Sequence, residues 1–379
     1  MTQVRVQLVD PSAFTPPYDR ALAAALAGAG ADVELLTSRF LYGPVPAARG
    51  YGVEERFYRR SAARGLDAPA RRAFKLAEHV PDMLRLRSAL DADVVHYQWL
   101  TVPVLDALLL PSRRPRVMTA HYIAPPGASH RQLSRARRVL SRMDAVVAHS
   151  EHGAARLRDQ LGIDPARVRT IPHGAFDYLT ALPEEKPLPE ELEGAEGPVI
   201  LFFGLLRPYK GLDVLLEAFT GLEGAELWIV GNPRMDVEPL RRLAAAAGGR
   251  VRFLTRFVEE AEMPPIFRRA DVLVLPYRDA EHSGVLYSGL AFGKPMVLSA
   301  VGGFPEVAGE GAARLVAPED PGALRGALRE LVADEAARAE LTEAALRAAT
   351  GPFSWDRAAR LTLDLYRELL EGEPREERK

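Results

Sequence analysis

Residues 198–211 read PVILFFGLLRPYKG. The short apolar run before Gly204 is bounded by Pro198 and Gly204, the pattern of a strand buried on both faces. It runs into two cations, Arg207 and Lys210, flanked by Gly204 and Gly211, and then into the apolar periodicity of a helix. A basic turn in that place is either a surface loop or a site for an anion, and the rest of the chain decides between them.

Upstream and downstream of this stretch, strand and helix patterns alternate. Strands are expected at 4–9, 32–36, 93–96, 116–120, 145–149 and 168–171, with helices at 19–29, 131–142 and 151–161 between them. After a Pro- and Glu-rich stretch at 182–197, read as a linker, the alternation restarts. It gives strands at 199–203, 226–230, 251–254, 272–275, 296–299 and 313–316. Such alternation builds parallel sheets covered by helices on both faces. We therefore expect an α/β protein of two tandem Rossmann-like doubly wound domains. The domains span 1–180 and 198–352, and a C-terminal helix at 355–372 packs back on the first. Ligands of such sheets bind outside the carboxyl ends of the strands, here in the cleft between domains.

Composition excludes several classes. With 379 residues, 47% hydrophobic and 26% charged, the chain is globular and long enough for two cores. It has no cysteine, which removes disulfides, thiolate metal sites and cysteine nucleophiles. No apolar run is long enough to span a membrane, and a cytoplasmic location is expected. The net charge of -2 conceals an asymmetry: residues 1–180 carry +8 and the remainder -10. The densest basic region runs from Arg56 through Arg71, Arg72 and Lys75 to Arg87. It reads either as a solvated helix face or as a footprint for an anionic acceptor or the inner membrane face. No nucleic-acid motif accompanies it.

The segments ILFFGLLRPYKGLDVLLEAF (200–219), ELWIVGNP (226–233), VRFLTRFV (251–258), the long run 267–307 and GAARLVAPEDPGALRGAL (311–328) occur in a fixed order. In that order they resemble the donor-binding domain of retaining nucleotide-sugar glycosyltransferases of the GT-B fold, family GT4. The first half resembles the same family through DVVHYQWL (93–100), VMTAHYIAP (117–125), AVVAHSEHG (145–153) and IPHGAF (171–176).

The resemblance implies an answer for the basic turn. Lys210 matches the family lysine that holds the donor diphosphate, and Arg207 takes the arginine role two residues after its commonest place, which Leu205 fills. Gly204 forms the donor-site loop. Ser283, Gly284 and Val285 open a helix whose amino terminus favours phosphate. Glu281 matches the first of two family glutamates, beside the donor sugar. The second is absent: its place falls on Gly289 or Ser288, so Ser288 is left as the ribose-side hydroxyl. His121 matches the family histidine at the donor sugar and acceptor, and Glu281 and His121 are the candidate catalytic pair. The usual glycine pair after the first strand is replaced by Asp10–Asp19, with two prolines; Thr15, Tyr18 and His173 are assigned to the acceptor side. Asp91-Ala92-Asp93 looks like a metal triplet but precedes a strand, and no metal or cofactor is expected.

The implied activity is transfer of a sugar, with retention, from a UDP- or GDP-type donor to an acceptor hydroxyl in polysaccharide, glycolipid or glycoconjugate synthesis. The acceptor is a sugar, a lipid-linked glycan or a small molecule, with peripheral membrane contact through the first domain. A nucleotide-sugar epimerase of the same fold and a non-catalytic nucleotide-sugar-binding protein stay open.

Overall fold

The structure, a computed structural model, describes residues 3–45, 47–63, 71–88, 91–111, 114–123, 128–248 and 250–372. The chain divides into two units, Met1–Gly174 with Trp355–Lys379, and Ala175–Ser354. The boundary thus falls before residue 180, and the 182–197 stretch belongs to the second unit. That stretch is fastened rather than loose: Arg252 donates to the Glu193 carbonyl at 2.6 Å and Arg268 pairs with Glu185 at 2.8 Å.

The first unit holds strands β1 (Arg5–Asp10), β2 (Asp32–Ser38), β3 (Gly52–Phe57), β4 (Val94–Tyr97), β5 (Arg116–Thr119), β6 (Ala145–Ala148) and β7 (Val168–Thr170). They form one parallel sheet in the order β3-β2-β1-β4-β5-β6-β7. The second unit holds β8 (Val199–Phe203), β9 (Glu226–Val230), β10 (Arg250–Leu254), β11 (Val272–Leu275), β12 (Met296–Ser299) and β13 (Ala313–Val316). Their order is β10-β9-β8-β11-β12-β13, again all parallel. Both sheets are doubly wound, with the strand order reversing between β1 and β4 in one and between β8 and β11 in the other. Central strands such as β8, β9 and β11 are buried along their whole length, which is why they read as unbroken apolar runs.

Two features escaped the sequence pattern. Strand β3, GVEERF, carries two adjacent glutamates and lies at the sheet edge, where charged side chains block further pairing. The first helix begins at Pro16 rather than 19, because proline is at home in the first helical turn. Ahead of it the 10–15 loop closes on Asp10, whose carboxylate accepts from the N–H groups of Ser12, Phe14 and Thr15. Asp91 and Asp93 both bind Arg5, the first residue of β1. They lie at the amino ends of the strands, where they tie β1 to β4.

The helix Trp355–Glu371 belongs to the first unit. Its Tyr366 hydroxyl meets His96 Nδ1 at 2.6 Å, and His96 Nε2 meets Thr119 Oγ1 at 2.8 Å. Burial pushes His96 down to about 3, so it stays neutral while folded. The unfolded chain takes up that proton near pH 6.5, so stability is lost as pH falls from 6.5 toward 3. Equilibrium unfolding should show His96 contributing a loss of about 2 kcal/mol between pH 7 and pH 5. In His96→Asn the pH slope over that range should flatten by this amount; an unchanged slope counts against a neutral buried imidazole.

Candidate functional site

In the second unit the carboxyl ends of β8 and β11 converge at the point where the strand order reverses. Leaving β8, the chain turns at Gly204 with φ +114°, passes exposed Arg207 and makes one 3₁₀ turn at Pro208–Lys210. Lys210 is 7% exposed. Its Nζ donates to the Tyr277 hydroxyl at 2.8 Å, and Tyr277 follows β11. The amine therefore spans the switch point. A side chain at Gly204 would meet Lys210 Nζ and Val285 Cγ2, each at 3.1 Å, so these three residues share one small space. Burial, with a smaller push from the Arg207 charge, brings Lys210 down to about 8. Burial also pushes the Tyr277 phenol up, so it keeps its proton. The Tyr277 and Ser283 hydroxyls also lie within hydrogen-bond reach of each other, at 3.4 Å.

Ser283 is the N-cap of the helix Gly284–Ala291, yet its side chain makes no capping bond. The first-turn N–H groups of that helix lack a side-chain acceptor, and such groups attract anions. Glu281 is half-buried just before it, and its main-chain carbonyl accepts from Gly303 N–H at 3.2 Å. Ser288 is 3% exposed and donates its hydroxyl to the Gly284 carbonyl at 3.1 Å. It is a buried hydroxyl whose proton is spent within its own helix, which leaves its oxygen as an acceptor only.

In the first unit, three predicted residues, Tyr18, His121 and His173, fall into one ring cluster. Tyr18 is 5% exposed. It packs against His121 (4.6 Å between centroids), His149 (5.1 Å), His173 (4.8 Å) and Trp355 (5.3 Å). Trp99 stacks on His121 at 5.2 Å and donates Nε1–H to Thr15 Oγ1 at 2.8 Å. His121 Nε2 lies 3.1 Å from Gln98 Oε1. His121 is thereby fixed between an indole and a phenol at the carboxyl end of β5. Tyr18 and His173 are interior members of the cluster, and His173 Nδ1 lies 2.6 Å from the Gly174 carbonyl. The sequence reading passed over Gln98, Trp99 and Trp355; the signal available was that Gln98 and Trp99 follow β4, the strand across the switch point from β1.

Comparison with known proteins identifies the family. Residues 197–334 match the family described as Glycosyl transferases group 1, and residues 20–175 that described as Glycosyltransferase Family 4. A D-inositol 3-phosphate glycosyltransferase 1 of Catenulispora acidiphila is 30% identical over 78% of this chain and 77% of its own. The D-inositol 3-phosphate glycosyltransferase of Xylanimonas cellulosilytica is 33% identical over 62% of this chain and 60% of its own, so the match spans under two thirds of that relative. Among solved structures, sucrose-phosphate synthase from Thermosynechococcus elongatus has a TM-score of 0.75 at 20% identity, covering 97% of this chain and 99% of that one. Anabaena HepE in complex with UDP-glucose has a TM-score of 0.73 at 19% identity, covering 97% and 100%. The fold, with its two parallel sheets, is that of the GT-B class. The chain belongs to glycosyltransferase family 4, the group 1 glycosyl transferases.

The 3₁₀ turn that carries Lys210 ends at Gly211, with φ +66° and its Cβ position 2.0 Å from the Pro276 carbonyl oxygen. Gly211→Ala should cost at least about 2 kcal/mol, since both the backbone region and the space forbid a side chain. Thermal unfolding of the variant checks this; a shift of less than a degree would mean the turn tolerates displacement.

Proposed function

We propose that this protein is a retaining glycosyltransferase that moves a sugar from a nucleoside-diphosphate donor to an acceptor hydroxyl. The observation that supports this best is the buried Lys210 amine held by Tyr277 across the β8–β11 switch point, beside a helix amino terminus with no side-chain cap. In the proposed reaction the bond from the anomeric carbon to the distal phosphate oxygen breaks, and the electron pair leaves with the nucleoside diphosphate. Lys210, Arg207 and the N–H groups at Gly284 and Val285 stabilise that developing charge. The acceptor hydroxyl adds to the same face of the sugar, and its proton passes to the departing phosphate oxygen. Atoms balance without an enzymic nucleophile. Glu281 is the second unit's candidate for a donor-sugar hydroxyl, and His121 the first unit's.

A buried lysine near its titration point suits this task. Its charge is costly while unpaired, and a bound phosphate restores full protonation. UDP- and GDP-type donors are the nucleotides to test. The printed names of the relatives put D-inositol 3-phosphate among the acceptors to test first.

Two measurements test the proposal. Lys210→Ala should lower donor turnover by about a hundredfold or more. Its thermal stability should hold, because removing a partly charged buried amine leaves Tyr277 able to bond Ser283. Normal turnover in a folded Lys210→Ala protein would refute the assignment. Since fixed cations and a helix terminus are proposed to replace a divalent ion, turnover should stay within about twofold in excess EDTA. Complete loss, restored by magnesium or manganese, would show that the charge is carried by metal.

A further inference from the structure

A second basic site lies wholly within the first unit. A small open pocket is lined by Ser12, Ser38, Arg39, Tyr58, Arg71 and Lys75 among others, and by no carboxylate among the described residues. It sits at the carboxyl ends of β1, β2 and β3, against the helix Arg71–Ser88. The three cations are not spent on ion pairs: among the described residues Arg39, Arg71 and Lys75 make none within 4.0 Å. Other members of the basic run are neutralised, Arg56 and Arg59 by Glu54 and Arg85 by Asp82. The run that the sequence offered as one patch therefore separates into paired surface residues and a pocket-facing set, Arg71 and Lys75. Arg71 Nε is buried with no hydrogen-bond partner among the described residues.

The pocket is also held in shape. Lys75 Nζ donates to Ser12 Oγ at 2.9 Å and lies 4.6 Å from the Tyr58 ring centroid. Ser12 Oγ and Thr101 Oγ1 share a hydrogen at 2.7 Å, and the Tyr58 hydroxyl donates to Thr101 at 3.0 Å. Tyr58 OH also meets His79 Nδ1 at 2.7 Å, and His79 Nε2 bonds buried Asp106. Of the three described non-glycine residues with positive φ, two line this pocket, Ala13 at +48° and Tyr58 at +54°. Burial and the Arg71 charge hold Lys75 below its ordinary range, and Asp10 opposes them. Three cations without an ion pair and no carboxylate in the lining, among the described residues, leave the pocket short of negative charge.

We propose that this pocket binds the phosphate of a phosphomonoester, with Arg71 and Lys75 as its principal ligands, Arg39 at the mouth, and Ser12 and Ser38 supplying hydroxyls. That the phosphomonoester is the acceptor rests on the glycosyl-transfer reading; that the pocket takes phosphate does not. The same group could come from a small phosphorylated polyol or from a phosphoinositide headgroup in a membrane.

The test uses the full chain and calorimetric titration with inorganic phosphate, myo-inositol monophosphate and myo-inositol, alongside flotation with phosphatidylcholine vesicles with or without phosphatidylinositol 4-phosphate. The monophosphate should bind at least tenfold tighter than myo-inositol. Lys75→Gln and Arg71→Gln should each remove at least tenfold of that affinity, while nucleoside diphosphate affinity stays unchanged. Lys210→Ala should do the reverse, so failure of this pocket and failure of the donor assignment read out separately. Should the buried-side variants unfold, Arg39→Gln, at an exposed residue, should still weaken monophosphate binding severalfold. Binding only to phosphoinositide vesicles, lost in Lys75→Gln, supports the pocket and assigns its phosphate to lipid. Equal binding of monophosphate and myo-inositol, undiminished binding in the variants, or displacement of monophosphate by nucleoside diphosphate overturns it.

Discussion

One hydrogen bond organises the second unit's candidate site, that from the Lys210 amine to the Tyr277 hydroxyl at 2.8 Å. A buried amine needs a partner, and this one finds it on the neighbouring strand's loop rather than its own. Much of the local sequence serves that meeting. Gly204 leaves room for the amine, and the Gly231 Cβ position, 1.8 Å from the Gly204 carbonyl oxygen, leaves room for the Gly204 turn. Gly211 lets the chain pass under Pro276 into the next helix. Tyr277 is itself wedged between Tyr209 and Phe304, so the acceptor oxygen does not move freely. A side chain at any of these glycines would displace the cation from the place where two parallel strands diverge.

The first unit solves the equivalent position differently. The loop after β1 is closed by a carboxylate, with Asp10 accepting three backbone N–H groups and Asp19 beside it. Both carboxyls are buried; burial raises Asp10, and burial together with the Asp10 charge pushes Asp19 well up. That rigid loop delivers Ser12 to one side and Thr15 to the other. Ser12 reaches the basic pocket through Lys75, and Thr15 reaches the ring cluster through Trp99. A cationic pocket and an aromatic cluster thus hang from one buried acid pair.

Much of this was legible in the sequence. Runs such as VILFF and VLVL carry their own burial, so the parallel sheets and their sequential alternation could be read directly. The place of Lys210, just past a buried strand, could be read from its flanking glycines, while its role came only from the family resemblance. What could not be read depends on tertiary pairing. The charged edge strand β3 has no apolar period to betray it. The bond from the Ser288 hydroxyl back to Gly284 is a matter of rotamer that spacing along the chain does not announce. Tyr18 looked like a loop aromatic and is the centre of the ring cluster. The relay from Asp106 to Lys75 links residues distant in sequence through side chains alone, and no local pattern announces it.

The central claim is that a buried, protonated Lys210 binds the donor's diphosphate, and its titration gives the most direct test. With the free amine at about 8 and raised by a bound anion, affinity should be highest below pH 8 and fall above it. The nucleoside diphosphate dissociation constant should be measured from pH 7 to pH 10, where the ligand's own phosphates no longer titrate. The account predicts affinity falling by up to about tenfold per pH unit above 8, as one proton is taken up on binding. In Lys210→Ala that dependence should vanish along with most of the affinity. A flat profile for the wild type, or the same slope in Lys210→Ala, would contradict the account.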